Sequence, residues 1–263
     1  MIDLFITSTE PEARSITDDD TPYKFTTREV KLTGMPRHDR LIIKRREAVS
    51  GGQANRILIA PTWRDSLFTE KINGSTEARG VKNGFDKSQF MNEWRSLLFS
   101  DDLKEIAKTH NARITFLPHP MLQSVLNPTD FPSHVEWASY ADADIQQLLA
   151  ESCVMITDYS SIVMDGAVAG SPVVYFQFDK EAIFSGGHIF TPGYFSYENS
   201  GYGPVVDSVH DVLVTVAALA QEKWRRPHLY ESRANADFTC ADGQASARVF
   251  AEIRALDAPE RIV

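Results

Sequence analysis

Three short runs of this sequence place hydroxyls, carboxylates and cationic donors directly after apolar segments. The richest is Thr157-Asp158-Tyr159-Ser160-Ser161, which follows the apolar run Cys153 to Ile156 and precedes a small-residue stretch containing Asp165. An apolar run, a polar corner and then a helical pattern predict a strand that turns into a helix. The first turn of a helix leaves N–H groups without partners and its dipole favours negative charge, so Ser160 and Ser161 beside those groups make a seat for a phosphate or diphosphate. The second run is Ala60-Pro61-Thr62-Trp63-Arg64-Asp65, where the guanidinium fork of Arg64 suits phosphate oxygens and Thr62 adds a hydroxyl. The third is Leu117-Pro118-His119-Pro120, in which two prolines restrict the backbone around His119. That imidazole could donate to a phosphate or move a proton.

Each residue also has a plainer use. Arg64 could pair with Asp65 at the surface, and His119 could be structural. Ser160 and Ser161 could be simple N-caps. Asp165 could accept from a ribose diol, as acidic residues do in nucleotide sites, or only compensate the helix dipole. Asp158 reads as a residue that orders the corner.

The elements that must position these runs alternate. Strand patterns at Ile57–Ala60, Arg113–Leu117, Val135–Ala138, Cys153–Ile156 and Val173–Phe176 are separated by helical ones, ending in a brief strand at Pro204–Val206 and helices from Val209 onward. Strand–helix alternation predicts an α/β fold, a Rossmann-like parallel sheet with helices on both faces. In such a sheet all strands end at one edge, where ligands bind, so the three polar tips would converge. Ahead of this, residues 1–50 contain short strands near Asp3–Thr7 and Glu29–Leu32 and are too few for a core of their own, while residues 47–55 read as a flexible connector.

Composition narrows the function. With 263 residues, 43% hydrophobic and 24% charged, the chain has the make-up of a globular protein. A net charge of −9 argues against nucleic acid as a partner, and the basic runs Lys44-Arg45-Arg46 and Lys223-Trp224-Arg225-Arg226 read first as solvated helix faces. Two cysteines without CxxC spacing give neither a zinc site nor a disulfide framework, and they fit a reducing compartment. No apolar run reaches the roughly 20 residues of a membrane span, and the first residues lack a signal-peptide pattern, so a cytoplasmic protein is expected. GxGxxG, Walker and GxSxG signatures are absent from the sequence, which weakens dehydrogenase, P-loop and hydrolase readings.

Taken in order along nearly the whole chain, Thr33-Gly34-Met35-Pro36-Arg37-His38-Asp39, the three tips, Asp165, Gly203-Pro204-Val205-Val206 and Asp242 to Val249 resemble the CDP-glycerol glycerophosphotransferase family of teichoic-acid and capsule polymerases and primases. The resemblance implies a GT-B architecture, two Rossmann-like domains facing a cleft. Residues 51–263 would be the donor-binding domain, and residues 1–50 the end of a first domain with the crossing segment. That first domain, on a longer chain or a partner, would supply a histidine base. The implied donor is CDP-glycerol or a related CDP-polyol, and the acceptor is a polymer or lipid-linked hydroxyl, which would set the protein at the inner face of the plasma membrane. Neither cofactor nor metal is implied. His119 is the candidate catalytic residue, and Thr62, Arg64, Asp158, Ser160, Ser161 and Asp165 the donor-binding ones. One departure, Gly187-His188 where the family more often has Arg-Gly, leaves the transferred group open among glycerol phosphate, ribitol phosphate and a sugar-linked relative. Two other readings stand beside this one: a GT-B enzyme using a nucleotide sugar, and a nucleotide-binding module without turnover.

Overall fold

The computed structural model describes residues 2–18, 20–70, 79–187 and 193–256. It opens with β1 (Phe5–Thr7), α1 (Glu10–Thr17) and β2 (Val30–Leu32), and the two strands pair in parallel. The start of α1 is capped from both directions: Thr9 Oγ1 accepts from Glu12 N–H, and the Glu12 carboxylate accepts from the N–H of Ser8, just ahead of the cap, at 2.7 Å.

Next comes α2 (Pro36–Ser50), with proline in its first turn, where the fixed φ suits a helix start. The connector expected over residues 47–55 is therefore shorter, because residues 47–50 are the last turn of this helix. Charge hides the helix in the sequence: Leu41 and Ala48 are its buried apolar residues, and of the basic run between them Lys44 and Arg45 are docked while Arg46 is exposed. Lys44 donates to Asp144 at 2.9 Å, and Arg45 donates to the carbonyls of Ala150 and Ser152 at 2.9 and 2.8 Å. In the second basic run, Arg226 donates to the carbonyls of Ala167 and Ser171 at 2.7 and 2.9 Å. Internal acceptors thus hold Lys44, Arg45 and Arg226, members of runs expected to be solvated.

The main sheet comprises β3 (Arg56–Ala60), β4 (Arg113–Phe116), β5 (Val135–Trp137), β6 (Ser152–Thr157), β7 (Val173–Phe176) and β8 (Val205–Val206). Its order is β5-β4-β3-β6-β7-β8 and every pairing is parallel. The order reverses between β3 and β6, which makes that pair the switch point of a doubly wound sheet. Both central strands are buried along their whole length, which is why they read as continuous apolar runs. The helices are α3 (Gln89–Leu98), α4 (Asp101–Thr109), α5 (Pro120–Gln123), α6 (Ile145–Ala150), α7 (Ile162–Val168), α8 (Lys180–Ala182), α9 (Val209–Gln221), α10 (His228–Asp237) and α11 (Ala245–Leu256).

Successive strand residues face opposite sides, and the two cores follow that alternation. Ile57 and Ile59 pack with Trp94, Leu97, Leu103 and Val216 from α3, α4 and α9. Leu58 and Ala60 pack with Leu148 and Leu149 of α6 and with Leu41 and Ala48 of α2. Thus α2, sequentially on the far side of residue 50, is built into the core of the main sheet. Asp39 in its first turn accepts from the N–H groups of Ala245 and Ser246 at 2.9 and 2.8 Å, capping α11 from a separate helix. No helix among the described residues is long and apolar enough to cross a membrane.

The last pairing of the sheet depends on a close backbone approach. A Cβ on Gly203 would stand 1.9 Å from Val173 O and 2.6 Å from Val173 C, at the point where β8 joins β7. Gly203→Ala is therefore expected to destabilise the chain by about 3 kcal/mol, read as a lowered midpoint in urea denaturation. An unchanged midpoint would show that the β7–β8 contact is not required.

Candidate functional site

The carboxyl ends of β3, β4 and β6 open on one cleft of about 740 Å³. Five of the residues singled out in the sequence line it: Thr62, His119, Ser160, Ser161 and Asp165. Their convergence follows from the strand order, since β3 lies between β4 and β6 and all point the same way.

Arg64 and Asp158 are not on the cleft wall. Arg64 is 3% exposed and Asp158 0%. Arg64 grips both oxygens of Asp179 through Nε and Nη2, at 2.7 and 3.1 Å, and its Nη1 lies 2.8 Å from Asp158 Oδ2. Its guanidinium carbon also sits 4.8 Å from the centre of the Phe90 ring. Burial opposes its charge, but Asp158 and Asp179 outweigh this and hold the guanidinium pKa above its ordinary value. The phosphate contact expected of Arg64 is thus replaced by internal ion pairs. Its backbone is extended, with φ −120° and ψ 120°, so Arg64 turns inward, and Asp65 pairs with Arg79 at 2.6 Å instead.

Asp158 orders the corner, as read from the sequence. One oxygen, Oδ1, accepts from Thr62 N–H at 2.8 Å and from Tyr159 N–H at 2.7 Å, tying the tip of β3 to that of β6. Thr157 Oγ1 adds a second tie, donating to Ala60 O at 2.7 Å. The result is a fixed position for Thr62, whose buried Oγ1 has no partner among the described residues. A hydroxyl held in this way suits a ligand oxygen.

His119 stands just ahead of α5, and its Nδ1 accepts from Met121 N–H at 3.2 Å. That bond sets the tautomer: the proton of the neutral ring lies on Nε2, a donor. The Trp63 indole stacks on the ring, with centroids 6.1 Å apart and planes at 23°. At the β6 corner, Ser161 precedes α7 without making a side-chain cap, and Ser160 Oγ receives a long 3.4 Å bond from Ile162 N–H. The N-cap reading therefore leaves the Ser161 hydroxyl unused.

Two residues outside the set chosen from the sequence meet Asp165. Arg37 Nε donates to Asp165 Oδ1 at 2.9 Å, and His38 Nε2 lies 2.8 Å from the same oxygen. Burial raises the Asp165 pKa, but the His38 hydrogen bond and the Arg37 charge outweigh it and hold the carboxyl below the usual carboxylate range. Arg37 is half exposed on the cleft wall, and its two terminal nitrogens have no partner among the described residues. It is the Lys or Arg that lines the described part of this cleft, the position the sequence reading gave to Arg64. Separations of 127 and 128 residues gave no local signal for these contacts, although both residues belong to the Thr33–Asp39 run. His188, the departure noted in the sequence, lies outside the described residues.

The family model described as "CDP-Glycerol:Poly(glycerophosphate) glycerophosphotransferase" matches residues 1–255. The chain belongs to this family. It is 31% identical over 261 residues to the "Minor teichoic acid biosynthesis protein GgaB" of Bacillus subtilis (strain 168), covering 97% of this chain and 27% of that protein. Among solved structures, the wall teichoic acid polymerase TagF superposes with a TM-score of 0.64 at 17% identity, over 97% of this chain and 58% of TagF. A TagF variant soaked with CDPG gives 0.66 at 17% identity, over 97% and 58%. The S. aureus MnaA-UDP structure gives 0.51 at 14% identity, over 97% and 60%. This chain therefore spans about a quarter of GgaB and somewhat over half of TagF, and the structural likenesses establish the fold.

Within the family member described here, the buried ion pairs and the cleft wall make different demands. Arg64→Met leaves Asp158 and Asp179 without their cation and is expected to cost about 3–5 kcal/mol of stability, measured by urea denaturation; a loss under 1 kcal/mol would contradict a structural role. Asp165→Asn should cost about 2 kcal/mol at pH 7. Because the folded-state pKa of Asp165 is depressed, its contribution is fully present above the unfolded value near ~4 and is lost as pH falls through the lower folded value. The stability gap between Asp165→Asn and the parent should hold constant from pH 7 to pH 5 and close only under stronger acid. A gap that closes above pH 5 would contradict a depressed Asp165 pKa.

Proposed function

We propose that this chain is the donor-binding half of an enzyme that transfers glycerol phosphate, or a related polyol phosphate, from a CDP-activated donor to an acceptor hydroxyl. The observation that carries this reading is the meeting of Thr62, His119, Ser160 and Ser161 in one cleft at the switch point between β3 and β6. Family membership supplies the donor class. The likeness to a teichoic-acid biosynthesis protein supplies the kind of product, a cell-surface polymer.

In this reading the donor diphosphate lies against the β6 corner. The acceptor oxygen attacks the β-phosphorus, the bond from that phosphorus to the bridging oxygen breaks, and CMP leaves with the electron pair. The acceptor proton passes to a base on a first domain outside residues 1–263. Negative charge grows on the phosphoryl and leaving oxygens, so the work is positioning and electrostatic stabilisation. His119 Nε2–H and the hydroxyls of Thr62, Ser160 and Ser161 donate to those oxygens. Arg37, held by Asp165, supplies positive charge. The second oxygen of Asp165 remains for a ribose hydroxyl. A lipid-linked or polymeric acceptor would bring the protein to the inner face of the plasma membrane as a peripheral component.

Isothermal titration of the chain with CDP-glycerol tests the assignment. Binding is expected, with His119→Ala and Ser161→Ala each weakening it about 10-fold. Unchanged affinity in both variants would reject the site, and stronger competition by UDP than by CDP would turn the reading toward a nucleotide-sugar enzyme.

A further inference from the structure

The cleft has a second end with different chemistry. Beyond α7, its wall is built from Ser8, Glu12, Tyr194, Tyr202 and Asp237. Met164, next to Asp165 on α7, lines the same cleft and packs against the Tyr202 cluster, which makes this end continuous with the one lined by His119, Ser160 and Ser161. Both carboxylates are tied down through one oxygen. Glu12 Oε2 accepts from the N–H and hydroxyl of Ser8 at 2.7 and 2.9 Å, and Asp237 Oδ2 accepts from Tyr202 Oη at 2.8 Å. Their other oxygens, Glu12 Oε1 and Asp237 Oδ1, have no partner among the described residues. Tyr194 is 49% exposed, and its phenol meets the Thr9 side chain. Burial and the nearby Glu12 and Asp237 carboxylates push that phenol above its ordinary pKa.

This end is unsuited to phosphate. Two carboxylates repel a second anion, and Arg37, the nearest cation on the wall, is turned to Asp165. Carboxylate oxygens fixed by one bond accept from neutral hydroxyls, and the Ser8 and Tyr202 oxygens, whose protons are given to those carboxylates, can accept as well. An aromatic face beside them covers the C–H groups of a polyol or sugar.

We infer that the end of the cleft formed by Glu12, Tyr194, Tyr202 and Asp237 is a subsite for an uncharged, hydroxyl-rich unit, the polyol or sugar portion of a substrate. The inference rests on the proposed donor reading for its other end. The unit would be either the group transferred from the donor or the terminal unit of the acceptor, and both offer the same hydroxyl chemistry.

The experiment uses the full chain, wild type and two variants. Glu12→Gln keeps an acceptor for Ser8 N–H, so the start of α1 is preserved, and Tyr194→Ala removes a half-exposed ring. Calorimetry measures CDP-glycerol and CDP, and saturation-transfer NMR measures a tri(glycerol phosphate) oligomer with inorganic phosphate as control. If the transferred group sits here, both variants weaken CDP-glycerol about 10-fold and leave CDP unchanged. If the acceptor terminus sits here, both nucleotides are unaffected and the oligomer signal falls about 10-fold while the phosphate control does not change. Either result supports the subsite and identifies its source. Variants that change neither ligand overturn it. So does a loss of CDP equal to that of CDP-glycerol, or displacement of the oligomer by choline, which would mark a cation site. A wild-type chain that binds no CDP refutes the donor reading separately, and the oligomer measurement then judges the subsite alone.

Discussion

A carboxylate without solvent contact holds the switch point together. Asp158 gives one oxygen to two backbone N–H groups, one on the β3 tip and one on its own corner, and faces Arg64 with the other. Its backbone carbonyl is held as well, by Gln177 Nε2 at 3.1 Å. A buried charge is costly unless paired and hydrogen-bonded, and here two carboxylates share one guanidinium. Tyr159 eases the imbalance by donating to Asp179 at 3.4 Å. Such a network is poor evidence for net stability, but it allows few alternative arrangements. What it fixes is the separation of the β3 and β6 tips, and hence the relative placement of Thr62 and Ser161.

The start of α2 performs a comparable task on the outer side of the cleft. Three consecutive residues serve different elements: Arg37 and His38 reach Asp165 on α7, and Asp39 caps α11. Residues in succession on a helix point about 100° apart, so one turn can address several neighbours at once. The turn that precedes it is equally constrained. Gly34 has φ +75°, and a side chain there would meet Cys240 O at 2.9 Å, while Arg248 donates to Thr33 O at 2.8 Å. The first and last parts of the chain are thereby joined beside the cleft, and α2 becomes a structural member of the domain whose sheet lies entirely after it.

The sheet was legible in the sequence because its strands are covered on both faces. Continuous apolar runs at β3, β6 and β7 have no competing explanation, and polar residues at their ends stand out against them. Val173–Phe176 emerges with the boundaries read from pattern alone, and a helix starts at Val209 as expected. What the sequence concealed depends on long-range partners. The helix Pro36–Ser50 carries so much charge that its apolar stripe is faint, and the acceptors for Lys44 and Arg45 lie about a hundred residues away. The burial of Arg64 has the same origin: an arginine at a strand tip looks like a phosphate ligand, and its fork is held by Asp179, 115 residues further on. Five of seven chosen site residues line the cleft wall, because parallel strand order brings their tips to one edge.

The two ends of the cleft also bear on direction. In-line displacement at phosphorus needs the attacking and leaving oxygens on opposite sides of the reacting centre. Donors that tolerate growing negative charge, namely the Ser160–Ser161 corner and His119 Nε2, cluster at the strand-tip end. Fixed carboxylates occupy the other. A nucleotide leaving as an anion is stabilised at the first and repelled at the second, so the proposed chemistry sends CMP toward the strand tips and keeps the neutral group on the α1 side. The same field disfavours the reversed pose, in which a diphosphate would face Glu12 and Asp237. In the proposed chemistry the polarity of the site is thus set by charge already fixed in the folded chain.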